Sequence, residues 1–82
     1  NLLIFHNAIQ QILGLIDTEK KITVTEIYVK LRIEQSVASQ HLAILRRAGI
    51  VLTQRDGKFI HYTVNYGRID EMKKFVNDLV EQ

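Results

Sequence analysis

Two amphipathic segments separated by three residues constrain this chain most. "VTEIYVKL" at 24–31 sets Val24, Ile27, Tyr28 and Leu31 at i, i+3, i+4 and i+7, the spacing of one helical face. "QSVASQHLAILRR" at 35–47 sets Ala38, Leu42 and Leu45 within one narrow arc, with Gly49 next on the same line. Between the segments lie Arg32, Ile33 and Glu34. Two helices joined by so short a turn read as a helix-turn-helix.

Start and stop signals support both helices. "TVTE" at 23–26 has the form of a capping box, in which Thr23 accepts from the Glu26 backbone and Glu26 reaches back to Thr23. Gly49 is placed as the residue after the helix cap, where a left-handed backbone is needed. Opposite the apolar arc of the second helix lie Ser36, Gln40, Ala43 and Arg47. Gln35, Ser39 and Arg46 occupy one flank, and Val37, His41, Ile44 and Ala48 the other. Plainer uses exist for several of these: Ser36 or Glu34 as helix cap, Ser39 bonding back to its own helix, Gln35 and Gln40 as ordinary exposed amides.

Residues 2–16 carry Phe5, Ala8, Ile9, Ile12, Leu13 and Ile16 at helical spacing, weakened slightly by Gly14. Asp17 to Lys21 reads as a polar connection. After Gly49, "IVLTQR" (50–55) and "KFIHYTVN" (58–65) are rich in β-branched and aromatic residues, and Asp56-Gly57 between them signals a two-residue hairpin turn. Gly67 reads as another break. Ile69, Met72, Phe75, Val76, Leu79 and Val80 then give a final amphipathic helix over 68–81. The expected fold is α+β, mostly α, a winged helix-turn-helix with a two-stranded β-hairpin wing, in one domain over 1–82.

The net charge of +2 says little, but its distribution says more. Lys30, Arg32, Arg46, Arg47, Arg55 and Lys58 fall in one central region with only Glu34 and Asp56 among them. Such local basicity is the footprint of a phosphate-binding face. With no cysteine, disulfides, thiolate metal sites and thiol redox switching are excluded. His6, His41 and His61 lack clustered ligand spacing, so no metal and no cofactor is expected. No nucleophile–base–acid set and no glycine-rich phosphate loop stands out, so the chain does not read as an enzyme. The longest apolar run, Leu2 to Phe5, is far too short to cross a membrane. Without export signals or cysteines, the cytoplasm is the expected location. The chain opens on Asn1 rather than methionine, which suggests a fragment.

"LRIEQSVASQHLAILRRAGIV" (31–51) followed by "RDGKFIHYTVN" (55–65) resembles the ArsR-type winged-helix transcriptional regulators. The likeness rests on Gln35, the "VASQHL" core, the L-R-x-A-G-aliphatic-V segment and the wing from Arg55 to Tyr62. It is specific over 22–65 and looser over the first and last helices. It implies a homodimer that binds operator DNA and represses transcription, with recognition positions Gln35, Ser36, Ser39 and Gln40 and with the terminal helices, 2–16 and 68–81, forming the dimer. Metal-sensing members carry a C-x-C motif where "ITVTEI" here has Thr23 and Thr25. Others carry a His and carboxylate cluster on the last helix, and 68–81 contains no histidine. The resemblance therefore supports DNA binding and not metal sensing.

On this reading Arg32, Arg46 and Arg47 meet backbone phosphates, and Arg55 and Lys58 flank the wing turn beside a minor groove. Gln40 suits an adenine, and Ser36 or Ser39 suits several bases. The partner is double-stranded DNA carrying an imperfect palindrome, its half-sites about one helical turn apart. The alternative is a winged-helix module that binds another protein, favoured faintly by Glu34 at the mouth of the second helix.

Overall fold

The computed structural model describes residues 2–81, with side chains from His6 to Glu81; Phe5, expected on the first apolar face, lies outside the described side chains. Among the described residues the order is α1 (Leu2–Glu19), β1 (Ile22–Thr23), α2 (Val24–Leu31), α3 (Gln35–Arg47), β2 (Val51–Asp56), β3 (Phe59–Val64) and α4 (Tyr66–Val80). This is the winged helix-turn-helix expected from the sequence, with one strand more.

The local signals act as read. Thr23 caps α2: its hydroxyl accepts from the Glu26 backbone at 3.3 Å, and Glu26 accepts from the Thr23 backbone at 3.2 Å. The Thr23 backbone N–H first, and then its hydroxyl, which also donates to the Glu26 carboxylate at 3.0 Å, hold that carboxyl below its ordinary pKa. Arg32 turns the chain out of α2 with a left-handed φ of +56°, uncommon for a residue with a Cβ. Gly49 follows α3 with φ +76°, and a Cβ there would meet only Arg68 side-chain atoms at 3.8 Å or more. Its glycine is needed for the backbone conformation, not for space.

Four expectations change. First, α1 runs to Glu19, through what reads as a connection. Asp17, Thr18 and Glu19 are exposed polar residues, which a helix accepts, and the stop is Lys20 at φ +69°. Second, the wing turn is Gly57-Lys58, because Asp56 pairs with Phe59 in the ladder. Gly57 has φ +61° and Lys58 does not share a positive φ, the pattern of a turn with glycine at its first central position. Third, Gly67 does not break the chain but sits in the first turn of α4, behind the cap formed when the Asn65 side chain accepts from the Arg68 backbone. Fourth, the sheet has three strands in the order β1-β3-β2, all antiparallel. β1 supplies two residues, Ile22 opposite Tyr62 and Thr23 opposite His61.

The core gathers one side of every element but α4. Ile12 and Ile16 come from α1, Ile22 from β1, Ile27 from α2, Ala38, Leu42 and Leu45 from α3, and Val51 and Val64 from the hairpin. No residue of α4 is buried, and Ile69 alone among its described residues is half-buried.

Polar bonds tie α4 to α1 beside Ile69, which packs against the core. Tyr66 Oη donates to Asp17 at 2.5 Å, and Lys20 Nζ lies 3.5 Å from the same carboxylate. The tyrosine hydrogen bond first, and the lysine charge second, hold the Asp17 carboxyl below its ordinary value. A carboxyl with a lower pKa folded than unfolded adds stability above the unfolded value and loses it as pH falls through the folded one. Tyr66→Phe is therefore expected to destabilise the domain at pH 6. The gap between variant and parent should narrow as pH falls below the ordinary carboxylate range, where the carboxyl becomes protonated in both. Urea melts across this range measure it, and a gap constant from pH 7 to pH 2 contradicts the assignment.

Candidate nucleic-acid interface

Burial of Ala38, Leu42 and Leu45 fixes the roll of α3 about its own axis. The opposite edge is thereby turned to solvent. Gln35, Ser36, Ser39, Gln40, Ala43, Arg46 and Arg47 are all exposed. Glu34 occupies the N-cap position without a side-chain cap bond, and Ser36 lies inside the helix, so neither serves as the capping side chain. Ser39 makes no bond back to its helix among the described residues.

Two anchors at the far end of α3 keep this edge in place. Arg68 Nε donates to the Ala48 carbonyl at 3.3 Å, and Asn65 Nδ2 donates to the Gly49 carbonyl at 3.0 Å. The Asn65 backbone N–H also donates to the Ile50 carbonyl at 2.8 Å. The chain just past α3 is thus tied down from the start of α4, while the carbonyls of Ile44, Leu45 and Arg46 accept from the backbone N–H groups of Ala48, Ile50 and Gly49. Arg46 and Arg47 stand in that last turn, favourably placed against the negative end of the helix dipole.

The wing carries the other basic residues. In an antiparallel ladder, directly paired residues share a face and alternate along each strand. Val51 with Val64 and Thr53 with Tyr62 are such pairs on the core side, and Arg55 with Ile60 continues that side past the core. Arg55 Nε donates to the Gly57 carbonyl at 3.2 Å, which orders the tip. Lys58 Nζ lies 5.5 Å from the centre of the Phe59 ring and is exposed.

The basic residues are not all equivalent. Lys30 is paired with Glu19, so it adds little net field. Among the described residues, Arg32, Arg46, Arg47, Arg55 and Lys58 take part in no ion pair. Their charges are left for an outside anion. Ser39, Arg46 and Arg47 share one groove, of about 480 Å³, with Ala43, Val24 and Tyr62. Arg55 and Lys58 stand apart at the wing tip, and Gln35, Ser36 and Gln40 line the outer edge of α3. Tyr62 lies outside the set read from the sequence. Strand alternation from Val64 was the signal that places it on the α3 side.

No group of three or more His, Cys, Asp or Glu side chains is arranged to hold a metal ion among the described residues. The Thr23 hydroxyl is engaged in the α2 cap. No described helix is long and apolar enough to cross a membrane.

Comparison with known proteins follows this geometry. A family profile described as bacterial regulatory protein, arsR family, matches residues 11–53. The chain is 38% identical over 55 residues to an uncharacterized HTH-type transcriptional regulator, YbzH, of Bacillus subtilis (strain 168), covering 67% of this chain and 55% of that protein. It is 34% identical over 61 residues to the transcriptional activator HlyU of Vibrio cholerae, covering 74% of this chain and 56% of that protein. The chain thus spans little more than half the length of these two relatives. The crystal structure of a transcriptional regulator HlyU from Vibrio vulnificus CMCP6 superposes with a TM-score of 0.71 at 34% identity, over 95% of this chain and 82% of that one.

Proposed function

Because the chain belongs to the arsR family of bacterial regulatory proteins, whose members are regulators and not enzymes, we propose that it is a sequence-specific duplex-DNA binder acting as a homodimeric repressor. One observation carries this reading: the polar edge of α3 is exposed along its whole length while its apolar arc is sealed in the core. A rigid helix with Gln35, Ser36 and Gln40 outermost suits a major groove, where an amide can pair an adenine by two hydrogen bonds. Arg32, Arg46 and Arg47 are free to neutralise phosphates beside it, and Arg55 and Lys58 to do so beyond the wing.

The dimer is drawn from α4 and α1. Met72, Phe75, Val76, Leu79 and Val80 are all exposed, Val80 at 79%. A stripe of that size on one helix suits burial against a second copy. A groove of about 450 Å³ between Leu13, Ile50, Ile69, Met72 and Val76 continues the same surface. Two-fold pairing sets two α3 helices on an imperfect palindrome with half-sites about one helical turn apart. Repression follows when such a dimer occupies a promoter. The Vibrio cholerae relative is described as an activator, so a promoter–reporter fusion distinguishes the two signs of regulation. The cytoplasm is the matching location. These 82 residues contain no cysteine, with Thr23 and Thr25 in the places of metal-sensing thiols, so none of them offers a thiolate to a metal.

Fluorescence anisotropy with duplex DNA at several salt concentrations tests the reading. Steep salt dependence and preference for selected over random sites are expected, and a flat response at low salt favours the protein-binding module instead. Gln40→Ala should relax base preference by roughly 1–3 kcal/mol, whereas Lys58→Ala should weaken all sequences alike. Equal loss of preference in both contradicts the assigned roles.

A further inference from the structure

We infer that the groove between α3 and the sheet seats one DNA backbone phosphate, with Tyr62 and Ser39 as hydroxyl donors and Arg46 and Arg47 as its charge. This rests on the duplex-binding reading and deepens it. It also moves Ser39 from base reading to backbone holding.

The groove has two unlike walls. On one side Ser39, Ala43, Arg46 and Arg47 rise from α3; on the other stand Val24, the first residue of α2, and Tyr62 in the central strand. Ala43 matters by its smallness: it leaves the floor between Ser39 and Arg46 unfilled. Tyr62 is held on both edges by ladder partners, Ile22 and Thr53, so its ring is fixed by backbone rather than by a loop. Among the described residues none of the four polar side chains has a hydrogen-bond or ion-pair partner within the chain.

Two arginines and two hydroxyl-bearing residues that line one groove and are internally unpaired fit an anion with several acceptor oxygens. A phosphodiester has that chemistry. The groove flanks the helix edge that carries Gln40 and Ser36, so a strand bordering the major groove passes over it when α3 is seated. Arg55 follows on the same face of the sheet two ladder pairs beyond Tyr62, roughly 7 Å farther out. A backbone lying in the groove thus continues onto the wing. Base edges lie on the other side of that backbone, which is why Ser39 reads phosphate rather than sequence.

Tyr62→Phe keeps the ring and removes the donor. It is expected to lower affinity about tenfold for selected and random duplexes alike, with the salt slope unchanged because no charge is lost. Ser39→Ala should also weaken all sequences evenly. Ala43→Leu, an exposed change, should block the groove and weaken binding further, with the melting temperature preserved. A duplex with one neutral methylphosphonate at the groove position should bind the parent more weakly, and Tyr62→Phe more weakly still, because Arg46 and Arg47 lose the charge they face in both proteins. The inference is overturned if Tyr62→Phe binds like the parent while Gln40→Ala still loses base preference, or if Ser39→Ala shifts preference. If the parent shows no affinity for duplex DNA at low salt, the broader reading fails, and that result is distinguishable from the others.

Discussion

Leu42→Ala is expected to lower the free energy of unfolding by about 2–5 kcal/mol, as emptying a buried leucine site does. Leu42 is 1% exposed, midway along α3, between Ala38 and Leu45 in the core. A domain of this size holds roughly 4–12 kcal/mol in all, so the change removes a large fraction of its stability. Ile44 on the same helix is 43% exposed, and Ile44→Ala should cost no more than about 1 kcal/mol. Urea melts of the two variants compare them directly. The comparison reports the roll of α3 as well as its packing: only if Leu42 faces inward does Gln40 face out. Equal destabilisation by both changes would put the polar edge somewhere else.

Neutralising both last-turn arginines, as Arg46→Gln with Arg47→Gln, should reduce affinity for any duplex roughly thirtyfold at physiological salt. The figure follows from counterion release. Two phosphate contacts contribute about 1.8 to the slope of log affinity against log salt, and the loss at 0.15 M follows from that slope. The plot for the variant should therefore be shallower by nearly two, while the ratio of selected to random binding stays fixed. The fold is not at risk, because both residues are exposed and neither forms an ion pair among the described residues. A variant with an unchanged slope would mean that these cations do not meet DNA, whatever its affinity.

The parts legible in the sequence are those decided within a few residues. Thr23 and Glu26 cap each other across one turn, Gly49 supplies the backbone angle that ends α3, and Ala38, Leu42 and Leu45 recur with the helical period. Each places α3 without reference to anything distant, and the exposed set from Gln35 to Arg47 comes with it. What was hidden is decided by partners far along the chain. Two residues of β1 contain no periodicity, and they become a strand only because Tyr62 and His61 pair with them. Asp17 and Glu19 look like loop residues until Tyr66 and Lys30 take their carboxylates. The turn shifts by one residue because Asp56 is held opposite Phe59 in the ladder. Tyr62 was visible as part of the wing pattern, yet its facing α3 depends on the sheet's register against the core.

The two-residue strand has a bearing on partner choice. Thr23 both starts α2 and pairs with His61 in the middle of the hairpin. The helix pair and the wing are therefore joined through backbone pairing as well as through the core, which sets the gauge between them. Any mismatch between that gauge and a duplex must be absorbed by bending or narrowing the duplex. The chain would then discriminate among sites by their flexibility, including at base pairs it never touches.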